Sequence, residues 1–437
     1  MSFHLNDAAM MVGVLLVMVT MLWSVGKLAK IFDILPEVKR KIVHVTTGLA
    51  SLSFPWLFSN PLPVIIMIAV SLVTMALLRT SLINKYSISK VLHDVQRKSY
   101  GEFYLLLAVG FLFMCSQDNP ILYVLPLTVI ALSDTASALV GTKYARKRFT
   151  VAGGEKSLEG GAAFFTVTLV VSLILIMLLT DAPDLNVIIL SFIVAAFCTL
   201  VESDSWKGLD NIFVPVGAFM ILAHFLYVPP VDLVKDLLII MATIFIAHKI
   251  APMFNLTKHG GRAYALLIIL IFIGTTDHHA AFPILALLTH LFARKTHPSR
   301  NPNRDLEMIS VTASVAMIWL FADYILPSAS INLFNLTFAS VCVIFIGLAL
   351  GKKLRWLTVS SAVILGGLYI WQASSLTVDT VSIANPYVLP VLSLGLTTSA
   401  VVLRPEFFNR FRSLKAYGLS SVFPVLTFIF VGLLSWA

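Results

Sequence analysis

The chain has 437 residues, 58% of them hydrophobic and only 12% charged, with a mean hydropathy of +0.92. Soluble domains carry roughly 45–50% apolar and about 25% charged residues, so the composition excludes a soluble globular protein, a disordered chain and a disulfide scaffold. The formal charge of +9 and the pI of about 9.4 would suit a nucleic-acid partner in a soluble protein; here topology accounts for the charge and no nucleic acid is implied.

Taken in chain order, apolar runs predict spans near 8–26, 42–58, 62–78, 103–117, 120–140, 161–180, 186–202, 211–228, 236–250, 263–277, 280–293, 308–326, 331–351, 356–373, 386–403 and 417–436. The expected fold is an all-α, polytopic transmembrane helical bundle of about fourteen to sixteen spans, each of roughly 20 residues. The runs near 103–117 and 280–293 are short and suit tilted, re-entrant or half-helices. With the N-terminus outside, the inner segments hold all of the 31 Lys and Arg except Lys235, the bias of the positive-inside rule. The first span lacks a basic leader and begins at Asp7, so it does not read as a cleaved signal peptide. Between spans, Leu82, Tyr86, Val91 and Val95 recur at helical spacing among charges and predict an amphipathic helix in the inner interface. Cys115, Cys198 and Cys342 are too widely spaced for a metal motif and read as apolar packing. There is no clear internal repeat. Long polar inner loops are confined to the first half, which gives two expected domains: 1–235 with the chemistry, and 236–437 as a further membrane module of unknown role.

Ionisable groups at or inside spans are costly in lipid and are functional candidates. Arg40 and Lys41 precede His44, with Arg40 and His44 one helical turn apart. Asp134 lies about two turns from the inner end of its span, and Ser137, Ala138 and Gly141 follow on the same side, small enough for close approach. A carboxylate at that depth needs a partner, and a divalent cation is one. The loop Gly141–Gly161 carries Lys143, Arg146, Lys147, Arg148 and Lys156 among glycines, a composition suited to phosphate, although its spacing is not that of a P-loop. Glu202, Asp204 and Asp210 crowd one inner helix end and suit a hard cation held through oxygen. Oxygen ligands and phosphate-binding cations on one membrane face suit an enzyme that joins a nucleoside triphosphate from water to a lipid acceptor from the bilayer.

The motifs, in order, resemble the family of dolichol kinases, phytol kinases and bacterial polyprenol or diacylglycerol kinases, which is distantly related to phosphatidate cytidylyltransferases. The matching blocks are Arg40-Lys41-x-x-His44; Arg97-x-Ser99-Tyr100-Gly101-Glu102; Asp134-Thr135-x-Ser137-Ala138-x-x-Gly141; Glu155-Lys156-Ser157-Leu158-Glu159-Gly160; and Glu202 followed by Gly208-Leu209-Asp210-Asn211 and Val214-Pro215. They cover about residues 38–220. Departures are Ser133 where the family usually has glycine, Ala145 where a second glycine is common, and the extra carboxylate of Asp204. The resemblance implies CTP as phosphoryl donor, a divalent cation such as Mg²⁺, and phosphorylation of an isoprenoid alcohol.

The expected roles follow from residues and resemblance together. Asp134, Glu202 and Asp210 hold the metal. Lys143, Arg146, Arg148, Lys156, Ser157, Glu159, Gly160 and Asn211 contact the nucleotide. Asp134 or His44 takes the acceptor proton, and Arg40, Lys41, Glu102, Ser137 and Gly141 support them. The acceptor is expected between the spans near 42–58, 120–140 and 186–202, and the site on the cytoplasmic face of a prokaryotic inner membrane. Two alternatives stand beside this reading. One is a CDP-lipid synthase, for which Lys258-His259-Gly260-Gly261-Arg262 is the nearest motif but lacks neighbouring aspartates. The other is a transporter with Asp134 as a coupling-ion site. Asp277-His278-His279, His290, His297 and Asp323 assemble no metal motif, and Arg304, Asp305 and Glu307 read as an interfacial charge cluster.

Overall fold

The computed structural model describes residues 5–34, 36–78, 100–116, 119–151, 154–275, 277–301, 303–327, 329–351, 353–375 and 387–436. The amphipathic segment expected at 79–98, and with it Arg97 and Ser99, lies outside the described residues. The chain divides into two compact units, 1–239 and 240–437.

In the first unit the apolar runs form α1 (Leu5–Ile31), α2 (Pro36–Ser51), the single turn α3 (Phe54–Leu57), α4 (Pro61–Leu78), α5 (Gly101–Cys115), α6 (Ile121–Lys143), α7 (Leu158–Leu179), α8 (Asp184–Asp204), α9 (Asp210–Phe225) and α10 (Pro230–Ile250), within which the division falls. The second unit holds α11 (Lys258–Gly274), α12 (Asp277–Thr296), α13 (Arg304–Ile325), α14 (Ala329–Leu350), α15 (Trp356–Ser375), α16 (Val388–Leu403), α17 (Arg412–Ser420) and α18 (Val422–Trp436). Among the described residues eight helices are long and apolar enough to cross a bilayer: α1, α6, α7, α8, α10, α13, α14 and α15. The pair α17 and α18, bent by 41°, makes a ninth if it is one span, and α4, α5, α9, α11 and α16 are shorter apolar helices. The protein is an integral, multi-pass, all-α membrane protein. Large apolar side chains such as Leu16, Trp23, Met177 and Leu178 stand more than 60% exposed, as lipid contact allows and water does not.

Each unit wraps around one helix. In the first, α6 packs against α2, α5, α7 and α9, and its Ile121, Leu125, Leu127, Val129 and Ile130 are fully enclosed. In the second, α14 packs against α12, α13, α15, α16, α17 and α18. Lipid tails give helices no hydrophobic reason to associate, so small residues and polar contacts hold them. A Cβ on Gly48 of α2 would lie 2.9 Å from the Cβ of Ala131 on α6. Tyr123 Oη donates to the Ser51 carbonyl at 2.7 Å, and Thr168 Oγ1 of α7 donates to Ser133 Oγ of α6 at 2.9 Å.

Two sequence expectations change. First, 141–160 is not an open loop. α6 continues to Lys143, and β1 (Arg148–Val151) then pairs antiparallel with β2 (Gly154–Ser157), in the register Arg148↔Ser157, Phe149↔Lys156, Thr150↔Glu155 and Val151↔Gly154. Gly154 sits at φ +141°, which glycine tolerates. Second, Asp305 and Glu307 are not a solvated interfacial cluster. Glu307 is buried and accepts from the backbone N–H of Ser413 at 2.9 Å, and Asp305 pairs with buried Arg294 at 3.1 Å. His290 is also enclosed, hydrogen-bonded to Tyr264 Oη at 2.8 Å. Residues beside helix ends look alike in sequence whether they face water or a neighbouring helix.

The start of α7 tests the small-residue contact. A Cβ on Gly160 would come within 3.0 Å of both the Ser137 carbonyl and Ser157 Oγ, whereas one on Gly161 would meet only Ser203 Oγ at 3.8 Å. Gly160→Val is expected to destabilise the protein by about 1–3 kcal/mol through overpacking, and Gly161→Ala to leave the thermal midpoint in detergent unchanged. Equal midpoints for both variants would show that α6 and α7 do not meet closely at Gly160.

Candidate active site

Four segments bring ionisable side chains together in the first unit. On α2, Lys41 falls where its Nζ reaches Asp134 Oδ2 on α6 at 2.5 Å, and it also reaches the Asp134 carbonyl at 3.4 Å. His44, one turn further, places Nε2 at 3.5 Å from the same Oδ2 and 3.3 Å from the Ile130 carbonyl. Both neighbours accept, so this nitrogen carries the proton. Lys41 and Asp134 are buried. The charge of Arg40 also reaches Asp134 and His44. The α2–α6 cluster brings Lys41, His44 and Asp134 together, within reach of the charge of Arg40. Lys41 is the principal partner of the aspartate, a role the sequence did not single out.

The second cluster depends on the hairpin. Successive strand residues point to opposite faces. Glu155 therefore turns outward, 3.7 Å from Arg148 with both exposed, while Lys156 turns inward to the end of α8. There Lys156 Nζ lies 2.8 Å from Glu202 Oε1 and also donates to the Glu202 carbonyl. Burial by itself lowers the pKa of Lys156, but the carboxylates of Glu202, Asp210 and Asp134 outweigh it and hold the pKa above the ordinary lysine value. Lys156 is therefore a fixed cation over the whole neutral range.

The strand also positions the start of α7. Ser157 is its N-cap, in extended conformation, accepting from the Gly160 N–H at 3.1 Å. That is the standard role of serine before a helix. Glu159 in the first turn accepts from the Lys147 N–H at 3.2 Å, where a helix N-terminus favours negative charge. Gly141 lies against Ser157, since its Cβ would sit 3.0 Å from Ser157 Oγ, and Gly160 lies against Ser137. The small residues Ser137, Gly141 and Gly160 thus close α6 onto α7 and hold the hairpin beside them.

At the start of α9, Asp210 Oδ1 and Asn211 Oδ1 are buried without a hydrogen-bond partner among the described residues. The α8–α9 turn takes two consecutive positive φ values, Lys207 at +56° and Gly208 at +87°. It holds α5 through Tyr100 N–H donating to the Lys207 carbonyl at 3.3 Å, which sets Glu102, in the first turn of α5, beside this end of the bundle.

Other expected residues stand apart. Lys143 is exposed, with Nζ 5.4 Å from the Tyr144 ring centroid. Arg146 is exposed near Glu159, and Arg148 is occupied by Glu155. Among the described residues no three His, Cys, Asp or Glu side chains gather as a metal set. Instead of forming one triad with Asp210, Asp134 and Glu202 are each neutralised by a lysine.

These pairs are stringent, because an unpaired charge in a buried site is costly. Lys41→Met alone is expected to destabilise by about 3–5 kcal/mol by stranding Asp134. Lys41→Met with Asp134→Leu should cost far less than the sum of the single changes. Additive losses in unfolding measurements on the four proteins of this cycle would show that the two charges are not coupled.

No family profile matches the chain, and no solved structure does. Among characterised proteins, the phytol kinase of Synechocystis sp. is 32% identical over 187 residues, which make up 42% of this chain and 78% of that protein.

Proposed function

The chain belongs to the phytol kinase family, and from that premise we propose that it transfers the γ-phosphate of CTP to an isoprenoid alcohol at the cytoplasmic face of the membrane. The observation that carries this reading is the pair of lysine–carboxylate contacts, Lys41–Asp134 and Lys156–Glu202. Phosphoryl transfer demands positioning and charge neutralisation more than covalent help. Both lysines are point charges suited to phosphate oxygens, and both carboxylates are oxygen ligands or bases. On nucleotide arrival Lys156 would trade Glu202 for a donor phosphate while Lys41 stays with Asp134, so the proposed base keeps its partner.

A divalent cation fits the residues present. Mg²⁺ is commonly held by one or two carboxylates together with substrate phosphates rather than by an all-protein cage. Glu202 and Asp210 would hold it, since Asp210 Oδ1 is buried and unpartnered beside them. Bound there, the cation would neutralise charge on the triphosphate. Asp134, held by Lys41 and His44, takes the proton of the acceptor hydroxyl. His44 already donates through Nε2, so it orients the aspartate. Lys156 binds the donor phosphates, with Ser157, Gly160 and Asn211 around it and the exposed Lys143 and Arg146 at the rim. The acceptor enters from the bilayer.

The test is transfer of label by the purified protein from γ-labelled CTP and ATP, with Mg²⁺, to phytol, farnesol, geranylgeraniol, polyprenols and diacylglycerol. The expected product is labelled lipid phosphate from CTP. Pyrophosphate release with phosphatidate would replace the reading with a CDP-lipid synthase, and no turnover at all with a transporter. Asp134→Asn is expected to lower kcat by more than about 100-fold, the scale of a lost general base. A loss below about tenfold would remove it from that role. Lys156→Ala should raise the nucleotide KM, and because Lys156 stays charged across neutrality, the wild-type pH profile should show no alkaline limb below about pH 9 from this residue.

A further inference from the structure

A groove of about 360 Å³ opens between the first turns of α7 and the last two of α8, against Phe149 of the hairpin. This is near the lower end of the roughly 300–1,000 Å³ of ligand sites. Ser157 and Ser203, the residues directly after Lys156 and Glu202, line its hairpin end, with Ser157 Oγ turned to the start of α7 as its cap. Gly161 and Ala162 form its floor, and Phe165 and Thr199 line it one turn further on. Among the described residues no charged side chain lines it.

The groove continues into a lipid-facing stripe. Along α7 every fourth residue is exposed, at 158, 162, 166, 170, 174 and 178. The first three of these line the groove. The next three, Val170, Ile174 and Leu178, are exposed to 48%, 51% and 73%. A flexible apolar chain lying on the stripe would therefore lead into the groove and toward the hairpin.

We propose that this groove seats the apolar chain of a single-chain isoprenoid alcohol next to its hydroxyl end, with the tail running out along α7 into the bilayer and the hydroxyl passing beyond the groove toward the ion-paired site. The inference rests on the kinase reading above and locates its acceptor. It moves the acceptor from the expected position among α2, α6 and α8 to the α7–α8 side. The chemistry of the lining decides the occupant. Apolar side chains with a few hydroxyl residues, Ser157, Thr166, Thr199 and Ser203, suit an uncharged chain. Gly161 and Ala162 set the width, since a Cβ at 161 is tolerated at 3.8 Å from Ser203 Oγ while a larger side chain fills the floor.

Two measurements test the proposal. In the first, a diazirine-bearing farnesol is photolysed with the detergent-solubilised protein without nucleotide, and adducts are mapped by mass spectrometry. Adducts within 157–166 and 199–203, displaced by excess geranylgeraniol, support the groove. Adducts confined to other segments, or displaced by diacylglycerol but not by geranylgeraniol, overturn it. In the second, Ala162→Phe is expected to raise the acceptor KM by more than about tenfold and leave the nucleotide KM within about twofold, the pattern of lost ground-state binding of one substrate. An unchanged acceptor KM overturns the proposal. A wild-type protein that phosphorylates no alcohol overturns the kinase reading instead, and photolabelling then decides the groove by itself.

Discussion

The first unit depends on the need to pair charge inside a membrane. A buried ion loses its hydration, and the effective penalty is several kcal/mol unless an opposite charge and hydrogen bonds replace the water. Asp134 on α6 and Glu202 on α8 are two such charges. The protein answers each with a lysine from another element, Lys41 from α2 and Lys156 from β2. The pairing therefore fixes two helices and a hairpin against two others, at the end of the bundle where the family's motif blocks converge.

Small residues make that convergence possible. Gly48 against Ala131 lets α2 approach α6 closely enough for Lys41 to reach Asp134. Gly160 against Ser137, and Gly141 against Ser157, bring the hairpin and α7 onto the same helix. The Ser157 cap then ends the strand and starts α7 one residue after Lys156. Close backbone approach and ion pairing thus serve one geometry. The first sets how near the elements come, and the second requires that they come that near.

Much of this was legible in the chain because it is local. Span positions follow from hydropathy and length, and the spans expected near 120–140, 161–180 and 186–202 are α6, α7 and α8. Ser157 also carries a cap signal that its reading as a nucleotide contact left aside, a serine directly before an apolar run. The hairpin was hidden because its strands have four residues each and one of them reads Gly-Glu-Lys-Ser, with no apolar alternation to count. The lysine–carboxylate pairing was hidden for another reason. It joins residues 93 and 46 positions apart, and from sequence alone a metal and a lysine are equal ways to neutralise Asp134. The groove was missed because Gly161, Thr199 and Ser203 carry no signal until two helices are laid side by side.

The second unit buries charge too, yet uses it differently. Arg294 donates to the carbonyls of Phe254 and Asn255, Arg355 to that of Val402, and Arg412 to those of Phe408 and His297. Glu307 accepts from the N–H groups of Ser413 and Leu414. Arginine's planar fork suits such fixed positions, and the partners are mostly backbone atoms at the ends of helices, where carbonyls and N–H groups lack intrahelical partners. A ligand that captured these side chains would leave main-chain groups unsatisfied in a buried setting, which is costly. In the first unit Lys41 and Lys156 also reach main-chain carbonyls, those of Asp134 and Glu202, but their main partners are carboxylates. Buried cations are thus held mainly by main-chain groups in the second unit and mainly by carboxylate side chains in the first.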